Sequence, residues 1–466
     1  MTGACPPPRR ARATASLVAL ALLASLAGCG DDGEHPLEVA ELMKPETCMT
    51  CHPTHFREWS GSMHAYAADD PVFLAMNRRG QAATGGALGD FCVKCHAPLA
   101  VELGLTQDGL NLADVPQWAK GVGCFFCHNL KSVEGDHNNP LILAMDATMR
   151  GGFKDPVRNA AHRSAYSPLI DGRAPESSRA CGACHDIVNQ RGVHVERTFA
   201  EWTTSIFAGD DPRRRLSCGQ CHMIGNTDVI AEDPDAKVKL RPSGRREHTF
   251  AGLDVALTPW PERPAQRAAI ERDLRGAVLA KLCVLPTNGG EITLRLDPVG
   301  VGHSWPSGAT HDRRAWAEIL GYDAGGAVIF RSGDVPVDQD PEDLADPGLF
   351  RLWDRALDAG GAPVKFMWEI DRLDTSLLQP AVTTDRFDPR FDHSTTKSYP
   401  IGALRPQLAR VTARVLVRPL PLRLIDELAP ELGDAAASLK AELPTFELSG
   451  ATLEWTPAKA VSLCVE

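Results

Sequence analysis

The spacing of apolar residues predicts the elements of the C-terminal half of the chain. Residues 265–282 place apolar side chains at helical intervals, which predicts one amphipathic helix. Residues 291–297 and 410–418 alternate between apolar and polar positions, which predicts half-buried β-strands. Residues 315–330 contain two such runs around an Asp-Ala-Gly-Gly turn and predict a β-hairpin. Strands of this kind, separated by long loops, favour a β-sandwich-like domain.

The N-terminal half has no comparable periodicity, but it contains one pentapeptide, C-x-x-C-H, five times. With 14 Cys and 15 His in 466 residues, this motif would occur by chance only about 0.01 times. It attaches c-type haem, because both thiols form thioethers with the porphyrin and the His becomes the proximal iron ligand. Zinc sites or a thioredoxin-like pair are the alternatives, but neither requires a His after every pair. The copies are Cys48-Cys51-His52, Cys92-Cys95-His96, Cys124-Cys127-His128, Cys181-Cys184-His185 and Cys218-Cys221-His222.

Composition and charge agree with a chain that binds five haem c groups. The 40 Gly, 35 Pro and 6% aromatic residues indicate a loop-rich protein, in which haem would fill much of the core. The net charge of −11 disfavours nucleic acid as a partner. It suggests either a basic redox partner that docks in a salt-sensitive way or a charge that only maintains solubility.

The N-terminus has the pattern of a secretion signal. Arg9, Arg10 and Arg12 precede an apolar run at residues 16–28, which is too short to span a membrane. The run ends in Leu-Ala-Gly before Cys29 and resembles a bacterial lipobox. That resemblance implies cleavage before Cys29, acylation of this residue and a lipoprotein of the bacterial cell envelope, facing the periplasm or on the outer membrane. The alternative is an ordinary signal peptide whose cysteine is incidental.

The remaining cysteines can be assigned by elimination. Cys5 lies in the removed peptide, Cys29 is the lipidation residue, and ten cysteines belong to the haem motifs. Cys283 and Cys464 remain, and in an oxidising compartment we expect them to form a disulfide that closes the C-terminal domain. Two buried free thiols are the alternative.

A short internal repeat identifies a first candidate for a distal iron ligand. Residues 56–65 and 199–208 align as F-x-E-W-[S/T]-x-S-x-[H/F]-A, and both predict a helical turn that lays its indole against a haem. His64 in the first copy corresponds to Phe207 in the second. The imidazole in place of an apolar ring makes His64 the strongest candidate.

Ten histidines outside the motifs are available for five distal positions, which favours six-coordinate, mostly bis-histidine iron. His162, His194 and His248 recur in local settings suited to a distal ligand, and His137 is a weaker candidate. His55 lies one helical turn beyond the proximal His52, so we expect it to be solvated, like His35.

These motifs resemble multihaem cytochromes c of the cytochrome c-554 type. The resemblance rests on C-x-x-C-H, then F-x-E-W-x-x-S, then a final C-x-x-C-H followed by Met223, and it covers roughly residues 45–255. It implies electron transfer through closely packed, mostly bis-histidine haems. The type protein has four motifs where this chain has five, so its haem arrangement cannot be transferred.

The loop Gly-His303-Ser-Trp-Pro-Ser-Gly resembles the G-H-x-x-P-[S/T]-G loop of β-domains appended to multihaem cytochromes. There the resemblance suggests that His303 is presented to a haem of the neighbouring domain. A Pro-Gly turn with a hydrogen-bonded His is the alternative. His311 and His393 are weaker candidates for the same role.

Together these patterns predict a multidomain chain in which a mostly α-helical and irregular pentahaem domain precedes a β-sandwich-like domain. The favoured function is a lipid-anchored relay that exchanges electrons with donor and acceptor proteins. A multihaem oxidoreductase for small nitrogen or sulfur species would need one iron with an open distal position. A third alternative is that the β-domain docks a partner. The expected segments are a signal peptide (1–28), a tether (29–46), a pentahaem domain (47–255), a connecting helix (256–285) and a β-sandwich-like domain (286–466).

Overall fold

The computed structural model describes residues 37–232 and 238–466, which belong to one compact unit. The predicted signal peptide, the lipidation residue Cys29 and His35 lie outside the described residues. Within the described ranges, no helix has the length and apolar character needed to cross a bilayer.

The predicted tether is shorter than expected. Leu42 and Met43 are buried against Phe125 and Phe126, and the Leu37 amide donates to the carbonyl of Ala161. In the described part of this segment, residues 37–46, the buried residues are Leu42, Met43 and Pro45, which are too few to give a period.

The N-terminal half consists of short helices and two-stranded ladders around the five motifs. Several helices begin at proline, which suits the first helical position because its missing N–H would have no helical partner there. Pro45, Pro53, Pro71 and Pro98 occupy such positions. The helices of the described chain are α1 (Val39–Leu42), α2 (Pro45–Met49), α3 (Pro53–Ser60), α4 (Met63–Tyr66), α5 (Pro71–Ala83), α6 (Val93–His96), α7 (Pro98–Glu102), α8 (Cys124–His128), α9 (Ser177–Gly182), α10 (Thr198–Thr204), α11 (Cys218–His222), α12 (Arg263–Arg275), α13 (Leu422–Glu427), α14 (Ala429–Leu432) and α15 (Ala435–Glu442).

Antiparallel sheets dominate the C-terminal half. The strands are β1 (Leu130–Val133), β2 (Leu141–Leu143), β3 (Thr148–Gly151), β4 (Arg163–Tyr166), β5 (Asp186–Val188), β6 (His194–Arg197), β7 (Gly225–Val229), β8 (Leu240–Arg246), β9 (Leu279–Leu285), β10 (Glu291–Asp297), β11 (Arg314–Tyr322), β12 (Val328–Ser332), β13 (Phe350–Arg351), β14 (Arg355–Leu357), β15 (Arg372–Asp374), β16 (Thr395–Pro400), β17 (Arg410–Arg418), β18 (Phe446–Glu447), β19 (Leu453–Trp455) and β20 (Cys464–Val465). One sheet has the order β16-β10-β9-β20, and the other has β12-β11-β17-β18 with β13 and β19 attached. The predicted strands and the β11–β12 hairpin are therefore present.

The predicted helix over 265–282 is wrong in its second half. Helix α12 ends at Arg275, and Leu279–Leu285 forms strand β9 between β10 and β20. Ala280, Leu282 and Val284 alternate on its buried face. Over so short a span, apolar residues at every second position are compatible with a strand as well as with a helix. Pairing with β10 and β20 makes this segment a strand.

Strands β9 and β20 carry the disulfide expected from the cysteine count. Cys283 and Cys464 are register partners, their Cα atoms are 4.0 Å apart, and the structure joins them in a disulfide. The bond fixes the C-terminal strand to the edge of the first sheet.

One hydrophobic core connects the two halves of the chain. It contains Leu294 from the first sheet and Val415 from the second, together with Val72 and Val255 from the N-terminal half. The residues around the motifs form smaller clusters, such as the one that includes Val93. The haem-motif region therefore rests against a larger β-rich core.

Candidate haem-binding sites

Each C-x-x-C-H motif lies in a short helix or overlaps one of its ends. Residues three and four positions apart share one helix face, so both thiols and the imidazole of a motif can approach one porphyrin. The helices that carry the motifs are α2, α6, α8, α9 and α11.

Backbone carbonyls orient four of the five proximal imidazoles. A carbonyl oxygen can only accept, so the ring nitrogen Nδ1 must carry the proton and the lone pair of Nε2 is available for a metal. The pairs are His52 with Ile230 (2.8 Å), His96 with Ala67 (2.9 Å), His128 with Arg150 (2.6 Å) and His222 with Ala251 (3.0 Å).

Four proximal histidines face a second histidine at the spacing of an axial pair. A metal–imidazole bond is about 2 Å long and Nε2 lies about 1 Å from the ring centre, so ligands on opposite sides of one iron have ring centres about 6 Å apart. The observed spacings fit one iron between each pair. The pairs are His52–His162 (6.5 Å), His128–His248 (6.3 Å), His185–His64 (6.2 Å) and His222–His303 (6.3 Å).

Three of the four distal rings make the same kind of hydrogen bond from Nδ1 to a backbone carbonyl as the proximal rings. The Nδ1 atoms of His162, His248 and His303 donate to the carbonyls of Arg163, Arg246 and Ser304, at 3.1, 2.9 and 2.8 Å. Burial lowers the pKa of His64 and of His248 to about 3, and that of His303 to about 4. These imidazoles are therefore neutral at physiological pH, as metal ligation requires.

The second motif differs from the other four. Phe73 stacks flat on His96, with ring centres 3.9 Å apart, and no second histidine lies at axial spacing from His96 among the described residues. The mostly bis-histidine ligation that the number of histidines favoured is therefore compatible with the geometry at four motifs.

His194 and His137 face each other instead of a proximal histidine. Their ring centres are 5.9 Å apart, and each Nδ1 lies 2.7 Å from a carboxylate, that of Asp186 and Asp136 respectively. Both rings are substantially exposed. The distal role suggested for His194 has no counterpart in this geometry.

The weaker histidine candidates lie in other settings. His311 is buried in the C-terminal half, with Nε2 3.6 Å from a carboxylate oxygen of Asp312. His393 donates from Nδ1 to Phe391 and lies 3.2 Å from Asp297. Neither ring is stacked on, or paired with, a motif histidine in the described structure.

The internal repeat organises the motifs as two similar pairs. The indole of Trp59 donates to the carbonyl of Val122 (2.8 Å), and that of Trp202 donates to Leu216 (3.0 Å). Each acceptor lies two residues before a motif, the third and the fifth respectively. The repeat therefore connects the first motif to the third and the fourth to the fifth.

Thiol contacts support the same pairing and join the pairs. The first cysteines of each pair are hydrogen-bonded to each other, and a further thiol contact links the second motif to the fourth; these contacts are Cys48–Cys124, Cys181–Cys218 and Cys95–Cys184. The pKa of Cys181 is raised well above its ordinary value. The largest cause is its hydrogen bond with Cys218, followed by burial and by the nearby thiols of Cys218 and Cys127. Because Cys127 belongs to the third motif, the fourth motif adjoins the second, third and fifth.

Two residues at the sites were not identified from the sequence. His55, expected to be solvated, is half-buried and packs edge-on against His248 with ring centres 4.9 Å apart. Phe250 packs against His64 at 4.4 Å. The only sequence signal for the contact between Phe250 and His64 was an aromatic residue two positions after His248. The sequence contains no signal for the contact between His55 and His248.

Five attachment motifs, four of which face a second imidazole, form a pattern typical of multihaem c-type cytochromes. Residues 47–129 match the family model "Cytochrome c554 and c-prime". The structure is similar to a penta-heme cytochrome c552 from Thermochromatium tepidum, with a TM-score of 0.59 and 18% identity over 90% of this chain and 100% of that one. A search of curated protein sequences found no match. The structural likeness shows a shared cytochrome c fold.

Proposed function

We propose that this protein is a pentahaem electron carrier whose irons are mostly bis-histidine-ligated. The observation that supports it best is the set of four histidine pairs with ring centres 6.2 to 6.5 Å apart, each containing one motif histidine. Iron with two imidazole ligands has no open position for a substrate, which suits a carrier.

The residues of the chain would hold the cofactors and protect them. Bound haem c would supply a one-electron ferric–ferrous couple. The ten motif cysteines would attach the five haems, and the Nδ1 hydrogen bonds would fix the direction of the ligating nitrogen in seven of the histidines. The contacts of the fourth motif with the second, third and fifth would make one continuous path for electrons.

The test counts haems and their spin states. We expect the mass of the mature holoprotein to correspond to five covalent haems. Low-temperature electron paramagnetic resonance of the oxidised protein should show four low-spin bis-histidine irons. Any other haem number, or fewer than four such signals, would refute the assignment.

The second motif favours a different candidate function at one iron. Because His96 has no opposing histidine among the described residues, its iron would have an exchangeable position, and the protein would act as an oxidoreductase for a small nitrogen or sulfur species. This function predicts a stoichiometric high-spin signal that changes on addition of nitrite, hydroxylamine or sulfite. A fifth low-spin signal that ignores these molecules would exclude it.

We also propose the setting in which the carrier works. Acylation of Cys29 would anchor it in the bacterial cell envelope, facing the periplasm or on the outer membrane. Cleavage before Cys29 would remove three arginines and no acidic residue, so the net charge would change from −11 to −14 and would favour basic donor and acceptor proteins. The two antiparallel sheets, which contribute side chains to one core, would form a β-sandwich-like domain behind the pentahaem domain.

A further inference from the structure

The repeated F-x-E-W segment contains a carboxylate that the proposed function does not use. Glu58 lies in α3 after the first motif, and Glu201 lies at the same repeat position in α10 after the fourth. Both side chains are largely buried, at 15% and 13% exposed. A buried carboxylate is costly unless it is paired and hydrogen-bonded, so its partners indicate what it does.

Glu58 contacts the segment that carries the distal ligand of the third motif. Its Oε2 accepts from the backbone N–H of His248 at 3.0 Å, and its Oε1 lies 2.5 Å from Arg245 Nη2. The ring of His248 faces His128 at 6.3 Å, with the two planes 18° apart.

Glu201 makes the corresponding contacts at the fifth motif. Its Oε2 accepts from the backbone N–H of Ser304 at 3.0 Å, and its Oε1 lies 2.9 Å from Arg197 Nε. This N–H belongs to the peptide bond directly after His303, whose ring faces His222 at 6.3 Å and 13°.

The two copies of the repeat share the glutamate, but its arginine partner and the segment that carries the distal histidine differ between them. The arginine of the first copy precedes the distal histidine, whereas Arg197 precedes Glu201 on its own side of the repeat. His248 comes from the N-terminal half and His303 from a loop of the C-terminal half. An ion pair with a purely structural role does not explain why, in both copies, the carboxylate also binds a backbone N–H beside a distal imidazole.

We propose that Glu58 and Glu201 are positioning residues that hold the distal histidines of the third and fifth motifs. The inference rests on the proposed bis-histidine ligation. Each carboxylate fixes a backbone N–H beside the imidazole, and the arginine holds the carboxylate in place. The distal ring is therefore held in one orientation before it ligates iron, and this preorganisation reduces the conformational entropy lost on ligation.

The test counts the haems that bind carbon monoxide in the reduced holoprotein. Wild-type protein gives the reference number, which is one if the iron of the second motif has an exchangeable position and zero if it does not. Glu201→Ala should raise this number by one and remove one low-spin signal from the oxidised protein, and Glu58→Ala should do the same for a different signal. Glu201→Gln keeps an oxygen acceptor at the Ser304 N–H, so the wild-type number should return.

Glu318 offers a matched control. It is 7% exposed and binds Arg414 through two oxygens, at 2.7 and 2.8 Å, but it lies in the β11–β17 ladder away from the motif histidines. Glu318→Ala should leave the carbon monoxide number unchanged. If Glu201→Ala fails to accumulate, Glu201→Asp shortens the reach by one methylene, keeps the charge and should also expose one more haem.

Two failures are distinguishable. Fewer than four low-spin signals in the wild type would refute the proposed ligation itself. Four such signals in the wild type, with the carbon monoxide number unchanged in the alanine or aspartate variants, would refute the positioning role alone. A rise in the Glu318→Ala variant would also refute it, because loss of any buried ion pair would then suffice.

Discussion

Replacement of His64 by alanine tests the least obvious of the four histidine pairs. His64 lies a few residues after the first motif, yet its ring faces His185 of the fourth motif, 6.2 Å away. It sits in α4, where Ser62 caps the helix by accepting from the Ala65 N–H. Alanine is a strong helix former, so the substitution should preserve the backbone.

The expected change can be worked out from the neighbours of the imidazole. Phe250 packs on His64 at 4.4 Å and cannot ligate iron. His248 lies on the other side of Phe250 but already faces His128. No side chain of this group can replace His64, so the number of low-spin bis-histidine irons should fall from four to three, and one high-spin iron should appear.

Spin quantification by electron paramagnetic resonance measures this change directly. To identify the affected iron, His64→Ala is combined with serine replacement of Cys181 and Cys184, which removes the haem of the fourth motif. In that background the histidine substitution should have no further effect. His55→Ala is the control, because His55 packs edge-on against His248 and lies one helical turn after His52, whose ring it also meets edge-on, with ring centres 5.8 Å apart.

An unchanged low-spin count in His64→Ala would refute the pairing with His185. Loss of a signal that persists after the fourth haem has been removed would show that His64 ligates another iron. His64→Met provides an independent measurement, because thioether ligation should restore low spin and raise the potential of that one haem.

Three further predictions concern the anchor, the disulfide and a buried carboxylate. Cys29→Ala should release the protein from membranes into the soluble fraction on cell fractionation, and retention would contradict the lipid anchor. Replacement of Cys283 and Cys464 by alanine should lower the free energy of unfolding in denaturant titrations by up to about 5 kcal/mol, the loop-entropy value for a separation of 181 residues; an unchanged midpoint would show that strand pairing alone holds β20. Burial raises the pKa of Asp70 to about 6 from 3.8, so its contribution to stability is present below pH 4 and is lost as the pH rises through 6. Asp70→Asn, which can still cap α5, should therefore stabilise the protein at pH 7.5 relative to wild type but not at pH 4, as measured by denaturant midpoints.

The attachment residues could be predicted from the sequence because their chemistry is local. Two thiols and an imidazole within five residues suffice to identify each motif, and the alternating strands β10 and β17 were equally clear. Strand β9 was misjudged because its apolar spacing suits either a helix or a strand, and only its neighbours in the sheet decide between them.

The distal ligands could be predicted only in part, because each pair joins distant segments. Local setting favoured His64, His162, His248 and His303, but it could not show which proximal histidine each one faces. His194 had the same local appearance, and its ring is held instead by Asp186, eight residues earlier in the chain. That distinction depends on the β5–β6 ladder, which the sequence pattern did not reveal.

We expect the N-terminal half to depend on bound haem more than the C-terminal half does. Its motif helices have four to six residues, too few to be stable alone, and its apolar clusters are small compared with the core shared by the two sheets. Each axial pair would add a bond between segments far apart in the chain, and His222–His303 would add one between the halves. Haem attachment would thus supply the long-range connections that the apolar clusters of this half lack. The carboxylates of Glu58 and Glu201 would orient the distal histidines of two of these axial pairs, His248 and His303, before iron is bound.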